Sequence, residues 1–247
     1  TLETTLLRVH RHHRAQTRDV DLAPGGSWMA VSSPDRSVSL WPTAVDGRHQ
    51  VNPVVLAGLP DYPYASAVHP SGGWLVTTDP GFQVWRVNGT KLAAGQTARR
   101  TITPLGSPSR LESNVLAARF IDPQIAQLVT GSGAVYQLDS RRPAVLKNLR
   151  PGKMDAYESG APKASVSAAA FVGSRVALGH TDGQLSTFSV NDPSSSSQIK
   201  AHQVGVHALA AASTACVLSG GMAGEARAWS LAGEPTPLAS PGLANDG

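Results

Sequence analysis

The sequence predicts an all-β repeat protein built from five successive units. Three observations carry this. Five short apolar strands close on an aromatic or large apolar residue: DRSVSLW at Trp41, GFQVW at Trp85, GAVYQL at Leu138, GQLSTF at Phe188 and GEARAW at Trp229. The closing residues recur at intervals of 44, 53, 50 and 41 residues, and self-similarity at such a period marks a repeat architecture. Within each unit, short runs with period-two alternation are bounded by Gly, Pro, Asp and Ser. That is the pattern of hairpin-connected antiparallel strands.

In the first unit Val20-Asp21-Leu22 alternates and Pro24-Gly25-Gly26 turns the chain. Trp28 to Ser32 forms the next strand, Pro34-Asp35-Arg36 the next turn, and Ser37 to Trp41 the third strand. The second unit runs Ser66 to Val68, Trp74 to Thr78 and Phe82 to Trp85, with Pro70-Ser71-Gly72-Gly73 as a turn. The third runs Ala117 to Phe120, Ile125 to Thr130 and Ala134 to Leu138. The fourth runs Val166 to Phe171, Arg175 to Gly179 and Gln184 to Phe188. The fifth runs Val206 to Ala211, Cys216 to Ser219 and Glu225 to Trp229. A connecting strand completes each unit. Thr4 to Val9 and, more weakly, Pro237 to Ala239 read as additional strands.

Composition agrees with one all-β domain. Hydrophobic residues make up 41% of the 247, enough for a core, and 24 Gly and 18 Pro suit many tight turns. Charged residues are 15%, where about a quarter is usual, which leaves two readings: an Ala- and Ser-rich bias, or a surface partly covered by other proteins. The one cysteine, Cys216, excludes an intramolecular disulfide framework and reads as a small buried hydrophobe. There is neither an apolar run long enough to span a membrane nor a secretory leader pattern. Asn88-Gly89-Thr90 fits a glycosylation sequon but reads as a turn, and the start at Thr1 reads as a processed or trimmed end. Residues 91–150 carry nine basic and three acidic groups, so the positive excess of the chain sits there.

At these residues the chain resembles the WD-repeat family of β-propellers. Ala23-Pro24-Gly25-Gly26 and His69-Pro70-Ser71-Gly72 look like the family's SPDG turn, Asp182-Gly183 like its DG element, and Asp35-Arg36 like a variant of it. His202 precedes Leu209 by seven residues, as His13 precedes Val20. The closing Trp-Asp pair is never intact; only Asp139, behind Leu138, keeps the aspartate. The resemblance implies a propeller of five recognisable four-stranded blades, in which packing blades radially buries both sheet faces. It implies that residues 13–231 are blades, 1–12 a lead-in strand and basic segment, and 232–247 a tail or partial closing strand. Five blades either close on themselves or belong to a larger, seven-bladed or open propeller. In the family a His, a Ser or Thr and an Asp form a buried hydrogen-bond chain. His13 and His202 match it here, so the other blades are expected to hold by packing.

No nucleophile elbow, phosphate loop or His-Glu-x-x-His occurs, and acidic residues are scattered singly. His10, His12 and His13 sit among Arg8, Arg11 and Arg14, which repel a cation, so no metal and no cofactor is expected. The long intervals leave insertions at roughly 90–112 and 140–164 that read as exposed loops. Arg99, Arg100, Arg110, Arg141, Arg142, Lys147 and Arg150 fall in or beside them and form the candidate partner surface. The plainer reading of these residues is ordinary solvated loop. The family resemblance implies a non-enzymatic scaffold subunit of a larger intracellular assembly, cytoplasmic or nuclear, whose partners are other protein subunits or an acidic segment. Two alternatives stay open: an RNA-contacting subunit of a ribonucleoprotein particle, and a propeller hydrolase or lactonase.

Overall fold

The computed structural model describes residues 12–23, 26, 28–43, 53–69, 74–77, 81–88, 101–122, 124–150, 165–192, 196–233 and 235–238. All regular elements among them are strands. The first blade is β1 (Asp19–Leu22), β2 (Trp28–Ser33), β3 (Ser37–Pro42) and β4 (Val54–Ala57). The second is β5 (Ser66–Val68), β6 (Trp74–Thr77), β7 (Gly81–Asn88) and β8 (Thr101–Arg110). The third is β9 (Val115–Phe120), β10 (Ile125–Thr130), β11 (Val135–Asp139) and β12 (Arg142–Arg150). The fourth is β13 (Val166–Val172), β14 (Arg175–His180), β15 (Gln184–Ser189) and β16 (Ser196–Lys200). The fifth is β17 (Val206–Ser213), β18 (Cys216–Gly221), β19 (Ala226–Ser230) and β20 (Thr236–Pro237). Each set of four forms its own sheet, with neighbours in sequence order and every pairing antiparallel.

The five closing residues occupy one equivalent position. Trp41 pairs with Met29, Trp85 with Leu75, Leu138 with Ala126, Phe188 with Val176 and Trp229 with Val217. In every case the partner is the second residue of the blade's second strand. Trp41, Leu138, Phe188 and Trp229 are buried and Trp85 half-buried. Because side chains alternate across a strand, an equivalent register sends all five to the same face of their blades.

Blade-to-blade packing makes the core. Ala30, Val38 and Leu40 of blade 1 meet Val68, Trp85 and Val87 of blade 2. Phe82 and Val84 of blade 2 meet Val115, Ala126 and Leu138 of blade 3. Val129 and Val135 of blade 3 meet Val176 and Phe188 of blade 4, and Ala170, Ala177 and Leu185 of blade 4 meet Val217 and Trp229 of blade 5. A lone four-stranded sheet would leave these faces wet, so each blade depends on its neighbours. The inner strands β1, β5, β9, β13 and β17 surround a central cavity of about 400 Å³. Successive inner strands pack together around it, whereas no comparable packing joins β17 to β1 among the described residues.

Two expectations are corrected here. Residues 101–110 and 142–150 are not loops: they are β8 and β12, the outer strands of blades 2 and 3. Their polar composition is that of an edge strand with one face in solvent. The apolar residues Ile102, Leu105, Leu146 and Leu149 point inward onto the cores. Pro104 is tolerated because an edge strand has a row of backbone groups that need no ladder partner. Cys216, expected to be buried, is half-buried at the start of β18. The strand read at Thr4 to Val9 lies outside the described residues.

Candidate functional site: polar anchors, central cavity and basic rim

In blade 5, His202 enters from the loop between β16 and β17. Its Nδ1 lies 2.7 Å from Glu225 Oε1 and its Nε2 2.6 Å from Ser219 Oγ, while Trp229 Nε1 donates to the same Oγ at 2.8 Å. A carboxylate accepts only, so Nδ1 carries the proton; in the neutral ring Nε2 then accepts from Ser219, and Ser219 accepts from Trp229. The donor chain therefore runs Trp229, Ser219, His202, Glu225. The Glu225 carboxyl is held below its usual range, first by its own backbone N–H and then by His202.

Blade 1 repeats this with a change. His13 Nδ1 lies 3.1 Å from Asp35 Oδ2, and its Nε2 is 2.8 Å from Ser39 Oγ, which also accepts from Trp41 Nε1 at 2.8 Å. Ser39 is on the third strand, cross-strand from Val31, whereas Ser219 is on the second strand, cross-strand from Arg227. The hydroxyl has moved to the neighbouring strand and still meets both rings. Burial pushes the Asp35 carboxyl up, but the Ser37 hydroxyl, the Arg14 N–H and His13 bring it below its ordinary value.

The expectation that the remaining blades hold by packing alone is corrected in blades 3 and 4. Glu112, just before β9, accepts from Thr130 at 3.1 Å, Ser132 at 3.0 Å and Tyr136 at 2.7 Å. A carboxylate thus replaces the imidazole as the hub, and no His-based pattern could reveal it. Burial followed by the Glu112 bond and charge pushes the Tyr136 phenol up to about 12. In blade 4, His180 Nε2 sits 2.8 Å from Ser186 Oγ.

The DG element has a positional cause. Gly183 adopts φ 84°, and its carbonyl accepts from Ala201 N and His202 N at 3.0 and 2.9 Å. A Cβ there would overlap the carbonyl oxygens of His202 and Val204. Asp182, beside it, accepts from Gln184 N at 3.0 Å and shapes the turn. The same arrangement in blade 1 is filled by Arg36 at φ 63°, whose carbonyl accepts from Leu59 N at 3.1 Å.

Charged groups, three of them lining the central cavity, tie blades together. Asp19 and Asp21 of β1 accept from the backbone N–H groups of Ser66 and Val68 in β5, each at 2.9 Å. Burial pushes the Asp21 carboxyl up to about 7; the Val68 N–H opposes this and the neighbouring Asp19 charge adds to it. Arg119 of β9 donates to Gln127 Oε1 at 2.7 Å and to Gly173 O at 2.6 Å, and its guanidinium lies 4.3 Å from the Phe171 ring centroid. Arg175 donates to Leu231 O and Gly233 O, joining blade 4 to blade 5.

Serine, imidazole and carboxylate do stand in the order of a hydrolytic relay in blade 5. Ser219 is 1% exposed and its oxygen already accepts the Trp229 N–H, so a substrate has no approach to it. Among the described residues, no group of three or more His, Cys, Asp or Glu is placed to hold a metal.

The predicted partner residues divide between the described and undescribed parts. Arg110 ends β8, Arg141 is in the turn before β12, and Arg142 and Lys147 are on β12; all four are exposed. Arg141 Nε lies 3.4 Å from Asp139 Oδ1, and no salt bridge among the described residues engages Arg110, Arg142 or Lys147. Arg150 ends β12, and Arg99 and Arg100 lie outside the described residues. The outer strands β8 and β12 pack against each other, with Arg110 at the end of β8 that pairs with the start of β7 and Arg142 at the end of β12 that pairs with the end of β11.

No family model and no curated protein matches this sequence. Solved structures do. The WD40 repeats of RRP9 superpose with a TM-score of 0.62 at 16% identity, over 92% of this chain and 64% of that one. The WD40 β-propeller domain of Doa1 gives 0.57 at 16% identity, over 91% and 68%. The Cps50 (Swd1) β-propeller domain of Myceliophteria thermophila gives 0.55 at 16% identity, over 89% and 67%. This chain therefore spans less than two thirds of the RRP9 chain. At this identity the likeness is one of fold.

Proposed function

We propose that this chain, a β-propeller of the WD40 type, works as a non-enzymatic scaffold subunit of a larger cytoplasmic or nuclear assembly. Its basic rim on blades 2 and 3 receives an acidic segment of a protein partner. The observation that carries the reading is the state of the rim: Arg110, Arg142 and Lys147 are exposed with no salt bridge among the described residues. Charged groups at the blade junctions support it from the other side. Asp19, Asp21, Arg119 and Arg175 spend their hydrogen bonds on blade-to-blade ties, as a rigid platform requires. Charged edge strands also resist edge-to-edge aggregation, and that is the plainer role of the same residues.

The test replaces Arg110, Arg141, Arg142 and Lys147 by Glu in the full chain. The expected outcome is an unchanged melting curve and loss of the proteins that co-purify from native extract. Loss of the partner on nuclease treatment, with affinity falling steeply as salt rises, would instead favour RNA phosphates. A quadruple variant that keeps every partner at physiological salt would remove the rim from consideration.

A further inference from the structure

The central cavity is lined by opposite charges that do not meet. Asp19 and Asp21 stand two apart on β1, hence on one face of the strand, and each accepts from β5 through Oδ2. Both line the cavity, and a carboxylate has room for further donors. Ser66 lies on the same wall at 2% exposure, and its hydroxyl has no hydrogen-bond partner among the described residues. Arg119 lines the cavity from the junction of blades 3 and 4. Three of its five N–H groups are engaged, all by the neutral oxygens of Gln127 and Gly173. No ion pair among the described residues joins Arg119 to either aspartate. Burial without a counter-charge pushes Asp21 up to about 7 and Arg119 down to about 10; Arg18 offsets part of the same rise at Asp19. Every other lining residue is apolar, mostly Ala and Leu.

We infer that this cavity binds a small zwitterion, with its ammonium group on Asp19, Asp21 and Ser66, its carboxylate on Arg119, and a short aliphatic chain between them. An ammonium has three donors and no acceptor, and the two carboxylates and the hydroxyl all accept. The N–H groups that Arg119 keeps free suit a carboxylate, with which a guanidinium makes charge-assisted bonds. The Ala and Leu walls suit methylene groups. An inorganic cation would leave Arg119 unmet, and a simple anion would face the two aspartates. Because the guanidinium and the carboxylates stand too far apart to pair, the ligand's two charges are separated as well, as in an ω-amino acid rather than an α-amino acid. The volume of about 400 Å³ lies near the small end of ligand pockets, which start at roughly 300 Å³. This site is independent of the one proposed on the outer strands.

The test titrates the full chain calorimetrically with δ-aminovalerate and ε-aminocaproate, against pentylamine and valerate as controls that each carry one charge. Saturable binding of at least one zwitterion and a rise in Tm are expected, with affinity about tenfold or more above either control, since one charge-assisted contact is worth roughly that factor. Asp21→Asn and Arg119→Gln should each weaken the zwitterion by about the same factor. His202→Ala, which lies outside the cavity lining, should lower Tm and leave this affinity unchanged, which separates lost stability from lost binding. The ligand panel on the unaltered chain decides the matter even where a cavity variant fails to fold. Absence of binding by both zwitterions overturns the proposal. So does binding of pentylamine or valerate as tight as that of the zwitterions, or an affinity untouched by Asp21→Asn.

Discussion

His202 Nδ1 lies 2.7 Å from Glu225 Oε1, and this contact anchors the loop entering blade 5 to the turn between that blade's second and third strands. The other ring nitrogen reaches Ser219, and Ser219 holds the closing Trp229, so four side chains brace one blade. In blade 1, Asp35 fills the place of Glu225.

His202→Ala should lower Tm by several degrees. It leaves the buried Ser219 hydroxyl with one partner fewer, at a cost of about 1–3 kcal/mol. Binding at the rim should persist in the folded fraction. In a double-mutant cycle with Ser219→Ala the two losses should fall short of additive, since they break one network. Additive losses would mean that the two residues act separately.

Gly183→Ala should cost more than Gly224→Ala, although both glycines have positive φ. At Gly224 an added Cβ meets open space, so only the left-handed backbone is penalised, by roughly 1–2 kcal/mol. At Gly183 the same penalty comes with overlap on two backbone carbonyls. Equal midpoints in urea for the two variants would contradict this account.

Asp21→Asn should flatten the pH dependence of stability. The folded-state pKa is raised from 3.8 to about 7, so the folded protein binds this proton more tightly than the unfolded chain. The contribution is fully present below about pH 4 and is lost as pH rises through 7, with a size on the order of a few kcal/mol. Asn keeps an oxygen for the Val68 N–H without the charge. Thermal unfolding between pH 5 and 8 measures the slope, and an unchanged slope in the variant would assign it to other groups.

Arg119→Lys should loosen the junction between blades 3 and 4. Lysine cannot hold Gln127 and Gly173 together with a planar group stacked on Phe171. A loss of about 1–3 kcal/mol is expected. Amide exchange should rise in the turn from Gly173 to Arg175. A lysine variant as stable as the parent would show the tie to be dispensable.

Much of the blade architecture was legible in the residues. Trp41, Trp85, Leu138, Phe188 and Trp229 share one register because a period-two strand with a fixed turn admits one placement of its large residue on the buried face. The outer strands β8 and β12 were not legible. An edge strand with solvent on one face reads locally like a loop, and only its pairing to β7 and β11 separates the two. The Glu112 hub also escaped, since its four members span residues 112–136 and follow no spacing rule.

The sequence by itself determined the number of units, their strand order and the residues that close them, because alternation and turn chemistry act over a few residues. Only the tertiary structure decided which polar groups meet, where Ser39 could replace a serine on the adjacent strand, and that Asp21 loses its ordinary acidity. It also decided that Leu22 and Leu218 face outward while their counterparts in other blades are covered. Burial at those positions depends on whether another blade stands beside them, and no local pattern carries that information.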